Sequence, residues 1–148
     1  MAGVAAGSKA RASQVGLAGS ESVRTSASGT FTTTETQLDT ITVPVVSGRR
    51  YKIVWNGQVQ SSVADGYVRC RIRETSVTGT VLQIRNVGTT MAAGQSVPLH
   101  AEAFWTASST GDAVFLFTAV RQAGTGNISS FAAGDSPVSF YVQNISGS

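Results

Sequence analysis

Catalysis by a triad or a metal centre needs several acid, base or ligand side chains brought together. This chain of 148 residues supplies one histidine, one cysteine and eight carboxylates. His100 and Glu102 stand two apart, so on a strand they share a face and can touch. No third zinc ligand and no activated nucleophile accompanies them, and an exposed or interface histidine is the better reading. Cys70 sits between Val68 and Ile72 on one face of a strand-like run, which suits a buried apolar thiol better than an intermolecular bridge. A lone cysteine also excludes an intrachain disulfide framework. Gly124-Thr125-Gly126 lacks the strand-to-helix context of a nucleotide fingerprint and reads as a turn. Asp65-Gly66 and Gly134-Asp135 lack the spaced series of Asp or Asn that a calcium loop requires. The expectation is therefore no catalytic, metal-binding or cofactor-binding residue, and no cofactor.

The most specific polar feature is the stripe Arg69, Arg71 and Arg73. Three guanidinium groups on one strand face repel one another unless acidic groups or phosphates lie opposite. A solvated face with Glu74 or Glu102 nearby, a contact with a neighbouring subunit, and a polyanion site are the three readings. Nucleic acid ranks last, because no stacking aromatic other than Tyr67 is interleaved with the basic residues.

The elements that must position these residues are strands. Only 13% of residues are charged, and solubility leans on 19 serines and 17 threonines, the latter favoured on pleated surfaces. The formal charge is +3, and the basic residues cluster only modestly. From Gly29 onward, runs rich in Thr, Val, Ile, Phe and Tyr are punctuated by turn residues. Candidate strands cover residues 30–34, 37–43, 50–60, 67–75, 80–85, 96–106, 113–121 and 138–145, with a weaker one near 127–131. Ser47-Gly48, Asp65-Gly66, Thr78-Gly79, Gly111-Asp112 and Gly134-Asp135 then serve as turns. The expected architecture is all-β: an antiparallel sandwich, jelly-roll-like, of about eight strands over residues 29–148.

Alternation assigns the faces. Val68, Cys70 and Ile72 point one way and the three arginines the other, while Tyr51, Ile53 and Trp55 form another inward set. Residues 113–119 are apolar on both faces, with Phe115 and Phe117 opposed to Val114 and Leu116. Such a strand is either central or covered by another subunit, which makes Phe115 and Phe117 interface candidates alongside the arginine stripe.

Residues 1–28 are dominated by Ala, Gly and Ser, carry Lys9, Arg11 and Arg24, and show no sustained period. They read as a flexible arm with too little apolar surface to order itself. Val4, Val15 and Leu17 are its apolar anchors, with Lys9 and Arg11 able to pair with acidic groups of a partner. No apolar run approaches the ~18 to 20 residues of a membrane span, and no apolar core precedes a cleavage site, so neither a membrane partner nor a secretory signal is expected. The sequons at Asn127 and Asn144 read as chance matches.

The opening Ala6-Gly7-Ser8-Lys9-Ala10-Arg11-Ala12-Ser13-Gln14 resembles the Ala-Gly-Gln-x-x-Arg-Ala-Ser-Asp/Gln start of many small structural proteins from tailed phages of actinobacteria, departing from it at Ser8. The body is similar to β modules of the same group in Ser28-Gly29-Thr30-Phe31, in Pro44-Val45-x-x-Gly48-Arg49-Arg50-Tyr51, in the arginine stripe, and in Phe104-Trp105-Thr106-Ala107. The resemblance implies a non-enzymatic component of the virion, of minor tail or fibre type, or alternatively a capsid decoration or head-fibre protein. It implies a homotrimer or other symmetric oligomer, with tail or capsid proteins as further partners. A second class of function, recognition of host-surface glycans through Trp55, Trp105 or Tyr141, competes with core packing of both tryptophans.

Overall fold

The computed structural model describes residues 19–64, 66–89 and 93–146. Nine strands occur among them: β1 (Gly19–Arg24), β2 (Thr36–Val45), β3 (Arg50–Ser61), β4 (Gly66–Glu74), β5 (Val81–Thr89), β6 (Ser96–Thr106), β7 (Gly111–Ala123), β8 (Ile128–Phe131) and β9 (Val138–Asn144). They form two antiparallel sheets, one ordered β1-β9-β3-β6 with β8 also paired to β3, the other ordered β2-β7-β4-β5. Setting aside the short β8, the pairs β1·β9, β2·β7, β3·β6 and β4·β5 nest inside one another. This is one long hairpin folded back on itself, with alternate pairs laid in alternate sheets. That arrangement is a jelly roll, in which two Greek keys cover one core.

The faces follow the alternation in the sequence. Tyr51, Ile53 and Trp55 of β3 and Val68, Cys70 and Ile72 of β4 are all buried between the sheets. Phe115 and Phe117 are buried too, with no exposed surface, so these two are core residues and not the interface expected of them. The reason is the place of β7, which lies between β2 and β4, so its inner face closes the core. Trp55 and Phe117 stack across the sheets, ring centroids 3.9 Å apart and planes 8° from parallel.

Two further expectations are corrected. Residues 30–34 form no strand; only Phe31 makes an isolated bridge, to Ile128. Residues 19–24, placed in the arm, form β1 and pair with β9 from Gly19↔Gln143 to Arg24↔Val138. An edge strand needs few apolar side chains, and Val23 stays 55% exposed, so periodicity carries little trace of it. Arm residues Val4, Lys9, Arg11, Val15 and Leu17 lie outside the described residues.

Gly57, inside β3, is fixed by packing. A Cβ there would stand 2.5 Å from Trp55 Cη2 and 2.8 Å from Val138 Cγ2. The indole is held by its stack on Phe117 and cannot yield. Gly57→Ala is expected to destabilise the fold by about 1–3 kcal/mol through overpacking, read as a lower midpoint in urea with an unchanged slope.

Candidate functional site

The arginine stripe is organised by a carboxylate that spacing did not suggest. Glu35 stands immediately before β2, on the outer side of the sheet that holds β4 and β7. Arg73 approaches it with two nitrogens, Nε to Oε1 at 2.7 Å and Nη2 to Oε2 at 2.9 Å. Arg71 donates to Oε2 at 2.6 Å, and the Thr118 hydroxyl of β7 donates to Oε1 at 2.5 Å. Arg69 turns away and donates to Asn86 of β5 at 3.2 Å. Neither Glu74 nor Glu102 serves the stripe, because Glu35 arrives from a segment whose course depends on the fold and not on strand spacing.

The side chains of Arg71, Arg73 and Glu35 are 15%, 11% and 19% exposed, so the cluster roofs the outer face of β7, where Leu116, Thr118 and Val120 are buried. Burial pushes the Glu35 carboxyl up, but the hydrogen bonds from Arg73 and Thr118 and the charges of Arg71 and Arg73 outweigh it, and the net effect is a lowering below 4.5. Two guanidinium groups on one carboxylate leave the cluster with a net positive charge.

On the outer face of the other sheet, Lys52 meets Glu102 at 2.6 Å, and the hydrogen bond from Lys52 holds the Glu102 carboxyl below its usual range. His100 is exposed, contacts Asn56 at 2.5 Å, and lies 3.8 Å from Glu102. The pair expected at His100 and Glu102 is thus adjacent, but its carboxylate is engaged by lysine. Such surface pairs contribute little to stability. Among the described residues no group of three or more His, Cys, Asp or Glu side chains converges.

A third polar group was not suggested by spacing. Asp39 alternates in phase with the inward Ile41 and Val43 and pairs opposite Phe117, which points it toward the interior, and the bulge between Gln37 and Asp39 changes the phase of the residues before it. There it accepts from Trp55 Nε1 at 2.7 Å and from Arg24 Nε of β1 at 2.9 Å. Arg24 also donates to Ser130 Oγ of β8 at 2.8 Å. Trp55 has no exposed surface, so its ring is closed to any ligand, whereas Trp105 is half-buried against Phe115 and Tyr51. Tyr141 is half-buried on the outer face. Phe104 is 49% exposed, with Arg50 over its ring at 4.9 Å.

No protein-family model matches the chain, and neither does any curated protein sequence. Several solved structures align weakly with it over most of its length. The infectious bursal disease virus Gx strain structure is 12% identical with a TM-score of 0.45, covering 86% of this chain and 38% of its own. The crystal structure of the T13 particle of the same virus is 10% identical with a TM-score of 0.47, covering 88% of this chain and 36% of its own. A structure described as "CBM4 structure and function" is 15% identical with a TM-score of 0.27, covering 86% of this chain and 80% of its own. The chain thus spans little more than a third of the viral proteins it matches. The jelly-roll assignment rests on strand order and register, not on these likenesses.

Two outcomes are expected here. Glu35→Gln, which leaves Arg71 and Arg73 underpaired in a half-buried setting, costs about 1–3 kcal/mol by denaturant titration. Because the Glu35 carboxyl titrates lower in the folded chain than its usual 4.5, its contribution is present above that value and is lost as the pH falls through the lowered one. The variant should therefore lose stability less steeply below pH 4.5 than the parent. Burial pushes the Cys70 thiol up to about 12. The folded protein is accordingly expected to resist iodoacetamide at pH 8 and to react fully once unfolded in guanidinium, as mass spectrometry of the alkylated chain would reveal.

Proposed function

We propose that this chain is a non-enzymatic structural protein of a tailed-phage particle, of minor tail or fibre type, that assembles with copies of itself through its arm and its sandwich. The observation that carries the reading is the fate of the arginine stripe. The feature with the most chemical potential in the sequence is spent on holding the sheet together, with Glu35 as its hub. A jelly roll whose charged residues brace its own faces is a scaffold, and jelly rolls serve as viral coat and lectin domains. The motifs shared with small phage structural proteins favour the virion over the lectin. The buried Trp55 also removes one of the three aromatic residues a sugar site would have used.

The resemblance covers tail and head-surface modules alike; the tail is the location proposed, and the arm is the segment that attaches the subunit. Its root is Gly19, where β1 enters the sheet, so the removable part ends at residue 18. Antibody against the sandwich should decorate purified particles at the tail, as seen by negative-stain imaging. Decoration around the head would move the protein to the decoration class, and particles without the chain by mass spectrometry would end the virion reading. Removing residues 1–18 should leave a folded β-domain whose occupancy on particles falls about tenfold or more, the change that ~1.4 kcal/mol of lost attachment produces. Equal loading of truncated and full chains would make the arm an idle tail.

A further inference from the structure

At one end of the sandwich, where the β2–β3, β4–β5 and β6–β7 turns meet, a recess of about 160 Å3 opens. Trp105, Val45 and Val114 supply its apolar lining, and Glu74 and Asp112 stand at it. Neither carboxylate has an ion-pair partner among the described residues, whereas Glu35, Asp39 and Glu102 are all paired. Trp105 is fixed by a T-shaped contact with Phe115 at 5.2 Å and a tilted one with Tyr51 at 6.0 Å. A fixed indole beside two free carboxylates suits a cation on a slender apolar stem, which is an arginine or lysine side chain.

The sequence carries such cations shortly before β1. Gly19 aligns with Gln143, Lys52 and Phe104 across the sheet, so β1 begins at the end where the recess lies. Lys9 and Arg11 precede it, flanked by Ser8, Ala10 and Ala12, small residues that allow close approach. Arg11 lies eight positions before Gly19, a reach of up to about 27 Å. The recess lies three strands across from β1, roughly 14 Å. Strand β1 runs away from this end, so the segment before Gly19 joins the sandwich at the end where the recess lies.

We propose that the recess receives Arg11, with Lys9 beside it, from the N-terminal segment of a second copy of this chain. The inference deepens the self-assembly part of the reading above and names the contact: a basic arm seated head-to-tail on an acidic, tryptophan-lined recess. Such a contact is heterologous, and it closes into a ring or extends into a filament according to the rotation between copies.

A charge exchange on the full-length chain tests it. One variant reverses the arm (Lys9→Glu with Arg11→Glu), a second reverses the recess (Glu74→Lys with Asp112→Lys), and a third carries all four changes. Association of each is read by sedimentation velocity over a concentration series, with thermal melts to establish that each is folded. The parent should associate, and each two-site variant should weaken association about tenfold or more. An equimolar mixture of the two should regain it, since the reversed arm of one fits the reversed recess of the other. Recovery in the four-site variant without recovery in the mixture would place the arm on its own chain and overturn the proposal. A monomeric parent, or two-site variants that associate like the parent, would overturn it as well. If the recess variant fails to fold, the arm variant alone decides, because its changes lie outside the sandwich. The readout uses purified chain, so failure to find the protein on particles would end the virion reading and leave this contact standing.

Discussion

Trp55 brings an indole N–H into the space between two apolar sheets, and a buried donor must be satisfied there. The answer is Asp39, and most of the fold's particular features follow from that choice. Asp39 reaches the interior because it stands in phase with the inward Ile41 and Val43, opposite Phe117. A carboxylate so placed needs a counter-charge, which Arg24 brings from β1. The same guanidinium holds Ser130 of β8. One tryptophan thus ties β1, β2, β3 and β8 together across both sheets, and it requires a glycine at position 57 for its ring.

The outer face of the second sheet solves a different problem. Strand β7 is apolar on both sides, and its outer residues Leu116 and Val120 need cover. The fold lays Arg69, Arg71 and Arg73 beside them, and the heads of the last two converge on Glu35. The stripe that would repel itself in isolation becomes a lid for a hydrophobic patch.

The strand faces were legible because period-2 alternation survives wherever one side is buried, as Val68, Cys70 and Ile72 show. The sandwich itself followed from those faces. What could not be read was anything set by non-local partners. Glu35 lies 36 and 38 residues from the two arginines it joins, and Asp39 lies 16 from Trp55. Neither spacing carries a signal. Strand β1 was missed because its sequence, Gly-Ser-Glu-Ser-Val-Arg, has a single large apolar residue and that one faces outward. Phe115 and Phe117 were misplaced for the opposite reason: a run apolar on both faces does not say whether a sheet or a subunit covers it.

The nested order of pairs gives β1 a special position. The innermost pair, β4·β5, is joined by a short turn, whereas β1·β9 brings together the two ends of the described chain. Closing the longest loop costs the most chain entropy, although the cost grows slowly with length. Little apolar burial offsets it, since β1 leaves Val23 exposed and relies on backbone pairing and on Arg24. Strand β1 is therefore held mainly by polar contacts, while the core beneath it is held by packing. Arg24 also couples that edge to the interior, because the carboxylate that holds it accepts from the indole stacked on Phe117. The edge strand thus depends on one ion pair, and the carboxylate of that pair is fixed in turn by the buried tryptophan.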